Sequence, residues 1–200
     1  RQLLGADNKQ VVILAPGTKN PAINCARWSL LADALALCGD IEITYQVVLS
    51  LHPGDRTPYG VDPADQKPLD VYGDITRFAP CPFRLAPKGL KTAELLPGAD
   101  LIVEWASSIG IEAAHRRLRL ISLGTELDQR RLESISGTRN WELCALGVSE
   151  KVETARELAD MIKYLPANHE SQKARQKEVF PLAPELGTAV KQRVEVIGSL

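Results

Sequence analysis

Residues 99–126 read ADLIVEWASSIGIEAAHRRLRLISLGTE. An apolar run, Leu101-Ile102-Val103, passes through Ser107-Ser108 into a short helical stretch with one lone acid, Glu112. A second apolar run, Leu118 to Leu123, stops at Gly124-Thr125-Glu126. Strand, polar turn, helix, strand, polar turn is the layout of a parallel α/β sheet, whose ligands sit at the strand ends. Two strand ends and the start of the intervening helix therefore face one crevice.

The same alternation runs outward in both directions. Gln10 to Ala15 reads as a buried strand, with Pro16 to Pro21 as the loop behind it. From Ala22 to Cys38 the positions Ile23, Trp28, Leu30, Leu31, Leu35 and Leu37 fit a helix face, and Gly39-Asp40 stops it. Ile43 to Leu51 is a second strand, ended by His52-Pro53-Gly54-Asp55. Residues 56–70 have no periodicity, as in a functional or disordered loop. In Val71 to Phe83 the prolines 80 and 82 favour irregular or edge structure, and Phe83-Arg84-Leu85 fits a short strand.

Further helices are expected over Thr92 to Leu96 and Asp128 to Ile135, and a last strand over Trp141 to Leu146. Val152 to Leu165 has the spacing of an amphipathic helix, followed by helical stretches at His169 to Val179 and Ala189 to Ile197. The predicted fold is α/β: a Rossmann-like three-layer domain with a mostly parallel sheet, plus C-terminal helices. Residues 1–165 form the domain, and 166–200 a helical extension of it.

Twenty-four basic side chains nearly cancel 25 acidic ones, so no bulk field would hold nucleic acid or an anionic membrane. No apolar run reaches the ~20 residues of a membrane span, and no signal-peptide pattern is seen. Cys25, Cys38, Cys81 and Cys144 are scattered without metal-ligand spacing, which fits reduced thiols in a cytoplasmic protein and gives no metal or cofactor site. The chain opens on Arg1 rather than Met, as a piece of something longer would.

Four strand-end loops carry polar groups suited to chemistry. Gly17 lets the backbone approach a ligand, Thr18 adds a hydroxyl and Lys19 a positive charge beside a helix start, a set that suits phosphate. A plain turn with a surface lysine has the same sequence. His52 at a strand end can donate to phosphate or exchange a proton near neutral pH, or can bond its own loop. Ser107 is a helix N-cap, and the free N–H groups of that first turn, with Ser108, would hold a diphosphate. Glu112 is not a cap partner, because Gly110 occupies that position. Its carboxylate needs either Arg116 at i+4 or the hydroxyl pair of a ribose. Thr125 and Glu126 place another hydroxyl and acid at a strand end. The following Asp128-Gln129-Arg130-Arg131 run reads as a solvated helix face, with Arg130 or Arg131 a further phosphate candidate. Together the four loops point to a nucleotide-type ligand.

The order of these motifs resembles the C-terminal, donor-binding half of GT-B glycosyltransferases and of the related UDP-N-acetylglucosamine 2-epimerases. The likeness rests on Ala15-Pro16-Gly17-Thr18, His52-Pro53, the approach Glu94 to Val103, Ser107 and Ser108 with Glu112, and Thr125-Glu126. It implies a nucleotide sugar, first a UDP-sugar, as ligand. It also implies that Glu112 grips the ribose, that Ser107, Ser108, Gly17 and Thr18 hold the diphosphate, and that His52 approaches the donor as the catalytic group. The acceptor would belong to an N-terminal half or a partner subunit. Apolar groups of the C-terminal helices, among them Phe180 and Leu182, would dock there or form a homodimer. The epimerases carry Ser-Gly-Gly and paired glutamates where this chain has Ser107-Ser108-Ile109 and Glu112-Ala113. Glycosyl transfer is therefore the first expectation, with a non-catalytic nucleotide-binding or interaction module and an epimerase or hydrolase fragment as alternatives.

Overall fold

The structure is a computed structural model and describes residues 1–4, 6–7, 10–39, 43–55, 72–87, 89–164 and 169–181. The aperiodic stretch 56–70 and the helix expected at 189–197 lie outside them.

The apolar run at the N-terminal side forms β1 (Gln10–Pro16). It leads into α1 (Pro21–Cys38), which Asn20 caps by accepting the Ala22 N–H, with proline at the first helical position. β2 (Thr44–Ser50), α2 (Gly73–Phe78) and β3 (Phe83–Leu85) follow. Next come α3 (Thr92–Leu95), β4 (Leu101–Glu104), α4 (Ser108–His115), β5 (Arg119–Leu123) and α5 (Glu126–Ser136). The chain continues through α6 (Glu142–Ala145), β6 (Glu150–Val152), α7 (Ala155–Lys163) and α8 (His169–Val179). The six strands pair in parallel in the order β3-β2-β1-β4-β5-β6.

Both faces of this sheet are covered, which is why its strands are almost continuously apolar. On β1, Ile13 and Ala15 face a core built with Trp28, Leu31, Leu158 and Ile162 of α1 and α7. Val12 and Leu14 face the opposite core with Leu95, Leu96, Ala113 and Leu143. One strand thus serves both layers by simple alternation.

Two expectations are corrected. Trp141 to Leu146 is not a strand: the N–H groups of Cys144 and Ala145 both reach the Trp141 carbonyl and close a helical turn, α6. A six-residue, mostly apolar stretch fits either period, and the buried Leu143 is satisfied by both. The last strand is instead β6, which pairs with the free edge of β5 from Ile121↔Glu150 to Leu123↔Val152. Val152 therefore belongs to the sheet, and α7 begins three residues later behind the Thr154 cap, with Glu157 closing a capping box.

After β1 the chain turns to one side for β2 and β3, then crosses back to place β4 on the other side of β1. The loops after β1 and β4 consequently diverge at the carboxyl edge of the sheet, which opens a crevice there.

Candidate functional site

A cleft of about 400 Å3 lies at this divergence. Gly17, Thr18 and Lys19 from the loop after β1, His52 from the loop after β2, and Ser107 and Ser108 from the turn after β4 all line it. Six residues chosen from three separate strand ends are thereby brought to one place. Glu112, Thr125 and Glu126 do not line it.

The first loop is held rigidly. The fully buried Asn24 of α1 accepts the Thr18 N–H at 2.7 Å and returns its amide to the Thr18 carbonyl at 3.0 Å. The same amide reaches Asp55 Oδ2 at 3.1 Å and Tyr72 Oη at 3.0 Å, tying the first two loops together. A Cβ on Gly17 would come within 3.1 Å of both Asn24 and Trp28, so this close approach suits glycine. The Thr18 hydroxyl accepts the Asn20 N–H at 3.0 Å. Lys19 is exposed, with its stem alongside Gly54 and the His52 ring.

His52 bonds its own loop and lines the cleft. Its Nδ1 accepts the Gly54 N–H at 2.9 Å, which assigns the proton of the neutral ring to Nε2 and leaves a donor available to the cleft.

After β4 the chain turns sharply at Ala106, whose φ of 48° is left-handed, and enters α4. Ser107 caps this helix by accepting the Gly110 N–H. The amides of Ser108 and Ile109 are then the first-turn donors not taken by the cap, beside the positive end of the helix dipole.

Glu112 lies one turn beyond Ser108 on the same helix face and pairs with Arg116 Nη2 at 2.7 Å. It is the bland partner the spacing offered, and a half-exposed pair of this kind contributes little. Thr125 caps α5 in a capping box with Asp128. Glu126 is exposed and paired with Arg130 and Arg139, which together hold its carboxyl below the usual range.

The cleft floor holds residues that the sequence reading passed over. Asp128 is not on a solvated face: it is 2% exposed and takes a two-point ion pair from Arg27 of α1. Arg27 also donates to the Trp105 carbonyl at 3.3 Å. Lys19, Arg27 and Arg131 bring three cations to the cleft against one carboxylate, in a chain whose net charge is −1. Leu132, Ile135, Trp105 and Trp141 supply an apolar wall. Arg131, one of the two arginines singled out in sequence, is here, whereas Arg130 is bound to Glu126.

Glu104 sits directly behind the serine turn and is fully buried. Burial pushes its carboxyl above the usual range, against the pull of hydrogen bonds from Ser107 and Ser122 and the charge of Arg27. Its signal in the sequence was an acid closing an apolar strand. Among the described residues, no group of three or more His, Cys, Asp and Glu side chains is placed to hold a metal ion, and no helix is long and apolar enough to cross a membrane.

Solved structures share this architecture. The glycosyltransferase SnogD from Streptomyces nogalater superposes with a TM-score of 0.58 at 19% identity, over 96% of this chain and 45% of that one. A protein from Listeria monocytogenes described as a UDP-N-acetylglucosamine 2-epimerase gives 0.55 at 15% identity, over 88% and 42%. The spinosyn rhamnosyltransferase SpnG, complexed with thymidine diphosphate, gives 0.53 at 12% identity, over 96% and 47%. The fold is that of a GT-B glycosyltransferase domain. The chain spans less than half the length of each of these three proteins. No known protein family matches the sequence, and no curated protein matches it at a significant level.

Proposed function

We propose that this chain is the C-terminal, donor-binding half of a glycosyltransferase and that its cleft holds a nucleotide sugar, first a UDP-sugar. The observation that carries this reading is the convergence of Gly17, Thr18, Lys19, His52, Ser107 and Ser108 on one cleft at the sheet's switch point. In this reading the diphosphate lies against the Ser108 and Ile109 amides and the Gly17–Lys19 loop, where dipole and cations favour negative charge. The apolar wall takes the base or the sugar. Glu112 is one helical turn from Ser108 and binds the ribose hydroxyls in exchange for its pairing with Arg116.

The chemistry assigned to these groups is electrostatic. As the bond from the anomeric carbon to the diphosphate oxygen breaks, the electron pair leaves with the diphosphate. Lys19, the His52 Nε2–H and the first-turn amides stabilise that charge without reorganising. The acceptor hydroxyl and the base that takes its proton come from an N-terminal half or partner subunit, or from a second copy of the chain. Ile135, at the cleft rim and 73% exposed, supports closure of such a partner over this edge. A cytoplasmic setting is the one in which thiols such as Cys38, Cys81 and Cys144 stay reduced.

Calorimetry with UDP, TDP and their sugar conjugates tests this. The chain binds the nucleotide without turnover, and Glu112→Ala abolishes nucleotide-sugar binding while leaving the unfolding temperature unchanged. Equal UDP affinity in wild type and Glu112→Ala would remove the ribose role. Absence of any nucleotide binding would remove the whole reading.

A further inference from the structure

We propose that Glu104 is a positioning residue that locks the anion-holding serine turn to the aromatic wall of the cleft, so that the two move as one unit. The consequence for ligand affinity rests on the nucleotide reading above; the mechanical coupling does not. Glu104 Oε2 accepts the Ser107 N–H at 3.0 Å and the Ser107 hydroxyl at 2.8 Å. Its Oε1 accepts the Ser122 hydroxyl at 3.0 Å and the indole N–H of Trp141 at 3.2 Å. One buried carboxyl thus joins β4, the cap of α4, β5 and the residue just before α6. Ser122 passes the network on to the Ser149 hydroxyl at 2.6 Å.

The arrangement demands a carboxyl group and not merely its volume. The Ser107 N–H and the Trp141 indole N–H are fixed donors, and one sits on each oxygen. Neither can rotate to accept. Both oxygens must therefore be acceptors, and an amide at this position would point its NH2 at one of the two donors in either orientation. The first turn of α4 also lies directly on the group, since a Cβ at Gly110 would come within 2.8 Å of Glu104 Cδ. Trp141 stands apart from the other two tryptophans in this respect. Among the described residues, the indole nitrogens of Trp28 and Trp105 are buried with no acceptor, whereas that of Trp141 rests on a carboxyl group. Ser107 and Trp141 both line the cleft, so a ligand pressing on the turn is felt by the wall through Glu104.

Because each indole N–H gives its own resonance in a 1H–15N spectrum, the coupling can be read without a ligand. The Trp141 signal is assigned by its loss in Trp141→Phe. It should shift in Glu104→Gln, and also in Ser107→Ala, which touches only the far oxygen of Glu104. In calorimetry Glu104→Gln should weaken both inorganic pyrophosphate and UDP at least tenfold. Addition of pyrophosphate to wild type, a probe with no base to stack, should move the Trp141 resonance. A Trp141 resonance unchanged in folded Ser107→Ala and Glu104→Gln would overturn the proposal. So would wild-type pyrophosphate and UDP affinity in Glu104→Gln. If wild type binds neither probe, the nucleotide reading fails by itself, and the Ser107→Ala spectrum still decides the coupling. Should Glu104→Gln not fold, Ser107→Ala and the pyrophosphate titration carry the test.

Discussion

The Arg27 guanidinium and the Asp128 carboxylate, 101 residues apart in sequence, meet under the cleft as a buried two-point ion pair. Nε lies 2.8 Å from Oδ2 and Nη2 lies 2.5 Å from Oδ1. Their side chains are 6% and 1% exposed. Removing one partner strands a charge, whereas removing both does not. Asp128→Asn should therefore lower stability by about 3–5 kcal/mol, and the paired replacement Arg27→Met with Asp128→Leu by clearly less. Urea denaturation of the three proteins gives the ordering, and a double variant as unstable as the single one would refute it.

Ala106 turns the chain from β4 into α4 in a left-handed conformation that costs a residue with a Cβ roughly 1–2 kcal/mol. Ala106→Gly relieves that strain but loosens the unfolded chain. The net expectation is a gain of up to about 1 kcal/mol, read as a higher denaturant midpoint with unchanged slope.

The docking of α8 rests on polar side chains. Gln172 Oε1 accepts the Leu120 N–H at 3.0 Å, and its Nε2 donates to the Leu120 carbonyl at 2.7 Å, as a neighbouring strand would. Gln172→Leu keeps the bulk but leaves both buried groups unmade, at about 1–3 kcal/mol each. Hydrogen exchange at the Leu120 amide should accelerate in this variant. Retained protection would show that the side chain does not carry the contact.

His169 gives the fold a pH dependence of known sign. Burial, reinforced by Lys173, pushes its pKa below 6.5, while its hydrogen bond to the Arg117 carbonyl works in the other direction. A depressed basic group is bound neutral by the fold. Its contribution is complete above about pH 6.5 and is lost as pH falls through the lower folded value. Unfolding temperatures measured across this window should drop less with acid in His169→Gln than in wild type.

Much of this fold was legible because it depends on local pattern. The apolar runs of β1, β2, β4 and β5 announce strands buried on both faces. Ser107 and Thr125 mark helix starts with their own hydroxyls. What failed to show were elements defined by their neighbours. β6 has three residues, two of them charged, and is a strand because the edge of β5 is open to it. Glu142–Ala145 is a helix because the Trp141 carbonyl before it finds the N–H groups of Cys144 and Ala145.

The site divides along the same line. The sequence by itself determined which loops carry hydroxyls, glycines and charges, since strand ends are set by where apolar runs stop. Gly17, Thr18, Lys19, His52, Ser107 and Ser108 are such residues, and all six face the cleft. Only the tertiary structure decided that Asp128 turns inward to Arg27, that Glu112 rests on Arg116, and that Glu104 binds Ser107 and Trp141 together. The physical reason is that a charged side chain settles where its counter-charge or donors lie. Arg27 for Asp128, and Ser122 and Trp141 for Glu104, come from elements that sequence spacing does not bring together. For Glu112 the pairing at i+4 was one of two available, and the folded geometry shows it made.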